Sequence, residues 1–297
     1  MNNSQNGSIL NNILQLGKVR ISIPVALTGF LGYYRISGNI DLTLLYTVGG
    51  IFLLSMGSST FNHVQERHTD LRMKRTKNRP IPAGRISLRG AVLSGSILAV
   101  AGFILLLLTG SILAAILGSI TMLWYNMIYT PLKKLTPFAV VPGAVIGALP
   151  PLIGWVAAGG DLIDREILFI SFFLFIGQMP HYWLLLMKIG DEFRDAGMPV
   201  ITSIFSKTQL RNISFIWIVS AAIYVTAFPV TGIIKTDWMA FVLIGVIALF
   251  LVRMFLLSFK GEIMNNWKAA FLTVNFFYLF IILILIADKF MEQYLYT

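Results

Sequence analysis

The 297-residue chain contains no cysteine. That excludes a disulfide, a thiolate nucleophile and any cysteine-based metal site. Charge is scarce too: Asp, Glu, Lys and Arg make up 12% of residues, against about a quarter in soluble domains. Apolar residues make up 57%, and the mean hydropathy is +0.78. The shortage of charge therefore reads as an integral membrane protein. A net charge of +10 would suit nucleic acid, but the basic residues lie between apolar runs. There they serve orientation in the bilayer and an anionic ligand, so no nucleic-acid partner is expected. The opening MNNSQNGSILNNILQLGKVR lacks the charged start and small-residue cleavage site of a secretory signal. It is also too poor in arginine for a mitochondrial transit peptide, so a bacterial plasma (inner) membrane is the expected setting.

The chain does hold apolar runs of bilayer length, about 20 residues each. Nine are expected, near 21–38, 42–61, 90–109, 111–129, 138–158, 166–187, 213–233, 238–259 and 267–288. The fold class is all-α and polytopic, a single transmembrane domain around a central cavity. Basic residues divide unevenly between the two sides. One side carries Lys18, Arg20, eight cations from Arg67 to Arg89, Lys133, Lys134, Lys188, Arg194, Lys207, Arg211, Arg253, Lys260 and Lys268. The other carries Arg35, Arg165, Lys235 and Lys289. The positive-inside rule places the richer side, with the N-terminus, in the cytoplasm and the C-terminus outside. The two long charged loops, 62–89 and 188–212, follow spans two and six. That spacing points to a duplicated four-helix unit, with halves near 18–134 and 135–260 and both loops facing one cavity.

The first loop opens with TFNHVQERHTDLRMKRTKNRP. Asn62, Glu66 and Asp70 recur every four residues. On a helix each such step drifts only about 40°, so all three point one way. Carboxylate and amide oxygens are hard ligands that suit Mg2+ shared with substrate phosphates. The plain alternative is a solvated helix end. In KIGDEFRDAGMP, Asp191 and Asp195 are again four apart after a span. A second acidic pair on the same membrane side is what a two-metal diphosphate site requires. The metal ligands expected are Asn62, Glu66, Asp70, Asp191 and Asp195, the first four also catalytic. A leaving diphosphate needs cationic donors, and arginine offers a planar fork. Arg20, Arg75, Arg79, Tyr129, Lys133 and Lys188 are the expected diphosphate contacts; the alternative for each cation is topology and anionic-lipid contact. His63 and His68 read as polar loop residues. His181, inside span six, is costly without a partner and is either a ligand to a bound group or a structural hydrogen-bonding residue. Gly143, Gly147 and Gly154 with Pro142, Pro150 and Pro151 indicate a broken or closely packed fifth span.

These stretches resemble the UbiA superfamily of intramembrane prenyltransferases, and within it the haem-farnesylating branch. Asn62, Glu66, Arg67, Asp70, Met73, Arg75, Thr76, Arg79 and Pro80 fit its N-x-x-x-D-R-x-x-D-x-x-M-x-R-T-x-x-R-P run, with Glu66 for Asp. YTPLKKLTP, Gly147 to Trp155, MPHYW and DEFRDAGMP agree with further runs, and GKVR matches K-P-R loosely, with Val19 for Pro. The resemblance spans nearly the whole chain. It implies nine transmembrane helices and farnesyl transfer from farnesyl diphosphate to a vinyl carbon of haem B. Water is added, and haem O and diphosphate are the products. Mg2+ is the implied cofactor, His181 the implied haem contact, and haem A synthase or terminal oxidase assembly the implied recipient. Phe61, Tyr125, Tyr129 and Trp155 are aromatics expected to face an allylic cation. Another prenyl acceptor, such as a quinone precursor, is the nearest alternative. A transporter would place its charges nearer the bilayer midplane, and a non-catalytic haem assembly factor would not need both acidic clusters.

Overall fold

The computed structural model describes residues 8–259 and 267–295. Lys260, counted above among the cytoplasmic cations, lies outside the described residues. Among these residues there is no strand. The helices are α1 (Ile9–Leu16), α2 (Val19–Ser37), α3 (Leu42–Arg72), α4 (Leu88–Leu108), α5 (Ile112–Leu123), the short α6 (Thr130–Leu132), α7 (Val140–Ala157), α8 (Arg165–Asp195), α9 (Lys207–Val230), α10 (Asp237–Phe259) and α11 (Trp267–Leu295). A π-helical segment, Trp124–Tyr129, joins α5 to α6. Among the described residues, eight spans are long and apolar enough to cross a bilayer, with α5 through α6 acting as one. The pair α1 and α2, bent by 56°, supplies a ninth. Each of the nine expected runs falls on one of them, so the protein is a multi-pass membrane protein.

The helices start where side-chain acceptors cover their unpaired first-turn amides. Asp41 accepts from the Leu44 amide, Ser87 from Gly90, Asp164 from Glu166 and Ser206 from Gln209. Ser206 and Gln209 complete a reciprocal capping box. Along the chain α2 packs on α3 and α7, α7 on α8, and α8 on α9, while α11 returns to α2, α8 and α10. The chain therefore encloses an interior instead of stacking in one layer.

The fifth span is closely packed, not broken. Helix α7 runs through Pro150 and Pro151 without interruption. A Cβ on Gly154 would collide with the Gly29 carbonyl of α2, and one on Gly32 with the Pro151 carbonyl. Only glycine allows the two backbones to approach this closely.

At the membrane face opposite the long charged loops, Arg35 is buried and fully engaged. Its Nε donates to Glu166 (2.5 Å), Nη1 to Asp288 (3.0 Å) and the Leu285 carbonyl, and Nη2 to the Ile233 carbonyl. Asp288 also accepts from the Lys235 and Thr236 amides and from the Thr236 hydroxyl. This cluster joins α2, α8, α11 and the α9–α10 turn at one point.

Candidate active site

Helix α3 is 31 residues long and carries its final turns past the apolar run. Asn62, Glu66 and Asp70 are all buried along those turns, as the four-residue spacing requires. Each meets a cation. Lys18 Nζ donates to Asn62 Oδ1 at 2.8 Å. Lys133 forms an ion pair with Glu66. Arg79 Nη1 donates to both Asp70 carboxylate oxygens at 2.9 Å. The compact RTKNRP run explains the last contact. After α3 the chain turns back on itself, the Thr76 hydroxyl donates to the Asp70 carbonyl at 3.0 Å, and the following turn delivers Arg79. Arg75 is half-exposed, with its Nε 4.0 Å from Glu192 of α8. Burial lowers its pKa, and the Arg79 charge lowers it further, against the pull of Glu192, Asp70 and Glu66. The guanidinium nevertheless stays charged near neutrality.

Lys18, Asn62, Glu66, Asp70, Arg75 and Arg79 line a polar cavity of about 500 Å³ together with Tyr129, Lys133 and Lys188. Tyr129 is aimed by the π-helical segment, whose register Asn126 holds. Asn126 accepts from the Ser58 hydroxyl (2.8 Å) and donates to the Ser58 carbonyl (3.0 Å) and to Gln65 (3.2 Å), all on α3. A Cβ on Gly143 would meet the Tyr129 ring, so α7 leaves that space open. Single-turn π segments of this kind recur at functional sites. The polar cavity runs into a second, apolar one of about 820 Å³, and Tyr125, Tyr129, Tyr182 and Leu185 line both.

Arg20 is exposed and lines the larger cavity, not the polar one. His181 lines the larger cavity, with Nδ1 2.9 Å from Asn275 Oδ1. The second acidic pair is not brought to the first. Asp191 is exposed and held by Arg194 at 2.8 Å, Asp195 is exposed at the last residue of α8, and neither lines either cavity among the described residues. The reason is helix phase. Ile189 and Phe193 point inward, and two residues turn a helix about 200°, so Asp191 and Asp195 face away. The DEFRDAGMP stretch contributes Phe193 and Met198 to the polar cavity instead. Phe61 and Trp155 line neither cavity, while Tyr125 lines both. His63 is a buried residue of α3, not a loop residue, and neither ring nitrogen has a hydrogen-bond partner.

Lys18 was absent from the expected site. It sits at the α1–α2 bend with φ 45°, the one described non-glycine residue in the left-handed region. That costly conformation is held where the side chain reaches Asn62. Its signal in the sequence was the glycine–lysine pair at the mouth of the first span.

Three oxygen-bearing side chains on one helix face, ringed by cations and open to a cavity, suit a multiply charged anion held with a hard cation. Among the described residues no three His, Cys, Asp or Glu side chains form a complete metal cage. Any Mg2+ here would rely on Asn62, Glu66 and Asp70 together with ligand oxygens, a donor set that fits that ion. The fold and site define a polytopic helical membrane protein with a polar, cation-ringed chamber that opens into an apolar interior. Residues 22–282 match the model of the UbiA prenyltransferase family, and the chain belongs to that family. It is 32% identical over 274 residues to a protein from Oleidesulfovibrio alaskensis named protoheme IX farnesyltransferase, covering 92% of this chain and 95% of that one. The fold is shared with a solved digeranylgeranylglyceryl phosphate synthase (TM-score 0.76, 20% identity, 95% of this chain and 98% of that one). It is shared also with a UbiA homologue from Archaeoglobus fulgidus bound to GPP and Mg2+ (TM-score 0.66, 16% identity, 94% and 98%).

Proposed function

We propose that the protein transfers a farnesyl group from farnesyl diphosphate to a vinyl carbon of haem B, with addition of water, releasing haem O and diphosphate. The observation that carries this reading is the junction of the two cavities: a cation-ringed chamber at one membrane face opens, past Tyr125 and Tyr129, into an apolar chamber within the bilayer. A prenyl diphosphate has this same division, with a charged head and an apolar tail. The choice of haem as acceptor is supported by the relative named protoheme IX farnesyltransferase.

Lys18, Arg75, Arg79, Lys133 and Lys188 would hold the diphosphate and stabilise the charge that builds on it as the allylic carbon–oxygen bond breaks. Asn62, Glu66 and Asp70 would hold Mg2+, which when bound neutralises diphosphate charge and so supplies a better leaving group. Tyr125 and Tyr129 line both cavities, where their rings would stabilise an allylic cation. The apolar walls exclude water that would quench it. Asp191 and Asp195 would join only after a change in the end of α8. The matching 31-residue lengths of α3 and α8 support the duplicated-unit reading. The distribution of basic residues supports a bacterial plasma membrane setting with the charged loops in the cytoplasm.

The test is haem extraction, analysed by mass spectrometry, from a host lacking its own haem O synthesis, with and without this chain. The expected result is a mass gain of one farnesyl group plus one hydroxyl, the vinyl group having become a hydroxyethylfarnesyl group. Unchanged haem B with the protein well expressed moves the acceptor to another class, with quinone precursors next in line.

A further inference from the structure

We propose that Gln178 and Tyr278 hold the water molecule that ends the reaction, a proposal that rests on the haem reading above. Both line the apolar cavity, Gln178 from α8 and Tyr278 from α11. Other polar side chains of that cavity are committed: Thr28 to the Val25 carbonyl, Ser55 to Ser22, Thr121 to the Leu117 carbonyl and His181 to Asn275. Among the described residues nothing hydrogen-bonds to the Gln178 amide or to the Tyr278 hydroxyl. Glycines make room for both groups. A Cβ on Gly147 of α7 would lie 2.8 Å from Gln178 Nε2, and one on Gly177 would lie 2.6 Å from the Tyr278 hydroxyl oxygen. The Tyr278 ring packs against Phe173, with 5.0 Å between centres, and against Phe277, which fixes where its hydroxyl points.

Unpaired polar groups inside a bilayer are costly, so an amide and a hydroxyl kept open in an apolar chamber call for a polar partner. A prenyl tail offers none. A haem propionate is charged and would call for a cation, yet the lysine and arginine that line this cavity, Lys18 and Arg20, stand at the start of α2. Water fits. A buried water needs two or more polar partners, and the amide both donates and accepts while the hydroxyl does either. The apolar walls keep bulk water from the allylic cation, so the one water that is added needs a holder of its own. Depth agrees. Tyr182 lines both cavities, and Gln178 lies four residues before it on α8, about 6 Å deeper. That is the span of two carbon–carbon bonds and one near-attack contact of about 3 Å. In the proposed step the vinyl π pair bonds to C1 of the farnesyl group as the bond from C1 to the diphosphate oxygen breaks. The positive charge passes to the vinyl carbon next to the macrocycle. The held water gives an electron pair to that carbon, and its proton leaves to the diphosphate, the base that the reaction itself releases.

The experiment incubates the purified full-length protein in nanodiscs with haem B, farnesyl diphosphate and Mg2+, and separates the products by mass and by the handedness of the new alcohol carbon. Wild type, Gln178→Leu, Gln178→Glu and Tyr278→Phe are compared. Wild type should give haem O of a single handedness. Gln178→Leu and Tyr278→Phe should still farnesylate haem. In both, the product one water lighter, formed by proton loss instead of water capture, should rise in share by about tenfold or more, and the remaining alcohol should lose its single handedness. Gln178→Glu, which keeps a hydrogen-bonding oxygen, should restore the alcohol. A role in packing alone would slow turnover without changing the product ratio. Wild-type product mixtures from Gln178→Leu and Tyr278→Phe overturn the proposal, and so does a variant that binds inorganic diphosphate with Mg2+ yet forms no farnesylated haem of either kind. The two claims fail differently. Haem B left unchanged by wild type removes the haem reading and this proposal with it, whereas haem O from wild type with unaltered variant products removes this proposal alone.

Discussion

Each acidic or amide oxygen on the inner face of α3 faces one cation, and those cations come from three separate segments: Lys18 before α2, Arg79 after α3 and Lys133 after α6. Without substrate the pairs satisfy one another. On the proposed reading a bound diphosphate would give the cations a second acceptor, so the same side chains would serve both states. Replacing Asp70 with Ala should lower kcat by about 10²–10³, the cost of removing one preorganised charged group from a site of this kind. Lys133→Ala should do the same while leaving the far-ultraviolet circular dichroism unchanged. Retained turnover in both, measured with prenyl diphosphate and acceptor in detergent, would show that this face is not the reactive one. The face itself was legible in the sequence, because a four-residue spacing on a helix has one geometric outcome. Lys18 was legible only as a cation after a glycine at the mouth of the first span, because its contact with Asn62 depends on a left-handed backbone turn that composition does not announce. Asp191 and Asp195 had the right spacing but the wrong phase. Spacing fixes residues relative to each other, and only packing decides which face of α8 turns inward.

At the scale of the helix, two local devices set the site. The π-helical segment Trp124–Tyr129, pinned to α3 through Asn126, adjusts the phase of the residues that follow, so that Tyr129 and Lys133 reach the polar chamber. The glycine contacts between α2 and α7 fix how closely the first and fifth spans approach, and so the width of the chamber they bound. Gly154→Ala should destabilise the protein by about 1–3 kcal/mol through overpacking. Thermal unfolding followed by fluorescence in detergent would read it as a lowered midpoint. A midpoint equal to wild type would mean that α2 and α7 have slack here. The nine spans were legible because bilayer thickness dictates their length. The π segment was not, since one extra residue in a turn leaves no mark in hydropathy.

For the whole molecule, the cluster at Arg35 matters most. Its partners lie 131 and 253 residues away in the chain, so no local pattern revealed it, and Arg35 read only as one of four cations on the poorer side. Arg35→Leu leaves Asp288 buried without its counter-charge and should cost about 3–5 kcal/mol. Arg35→Leu combined with Asp288→Leu should recover part of that loss, and the two unfolding midpoints together test whether the pair acts as a unit. None of Arg35, Glu166 or Asp288 lines either cavity. The cluster thus lies apart from both chambers. A tie of this kind acts as a keystone: loosening it would let four segments drift, and the chambers would lose their alignment without any change in their own residues.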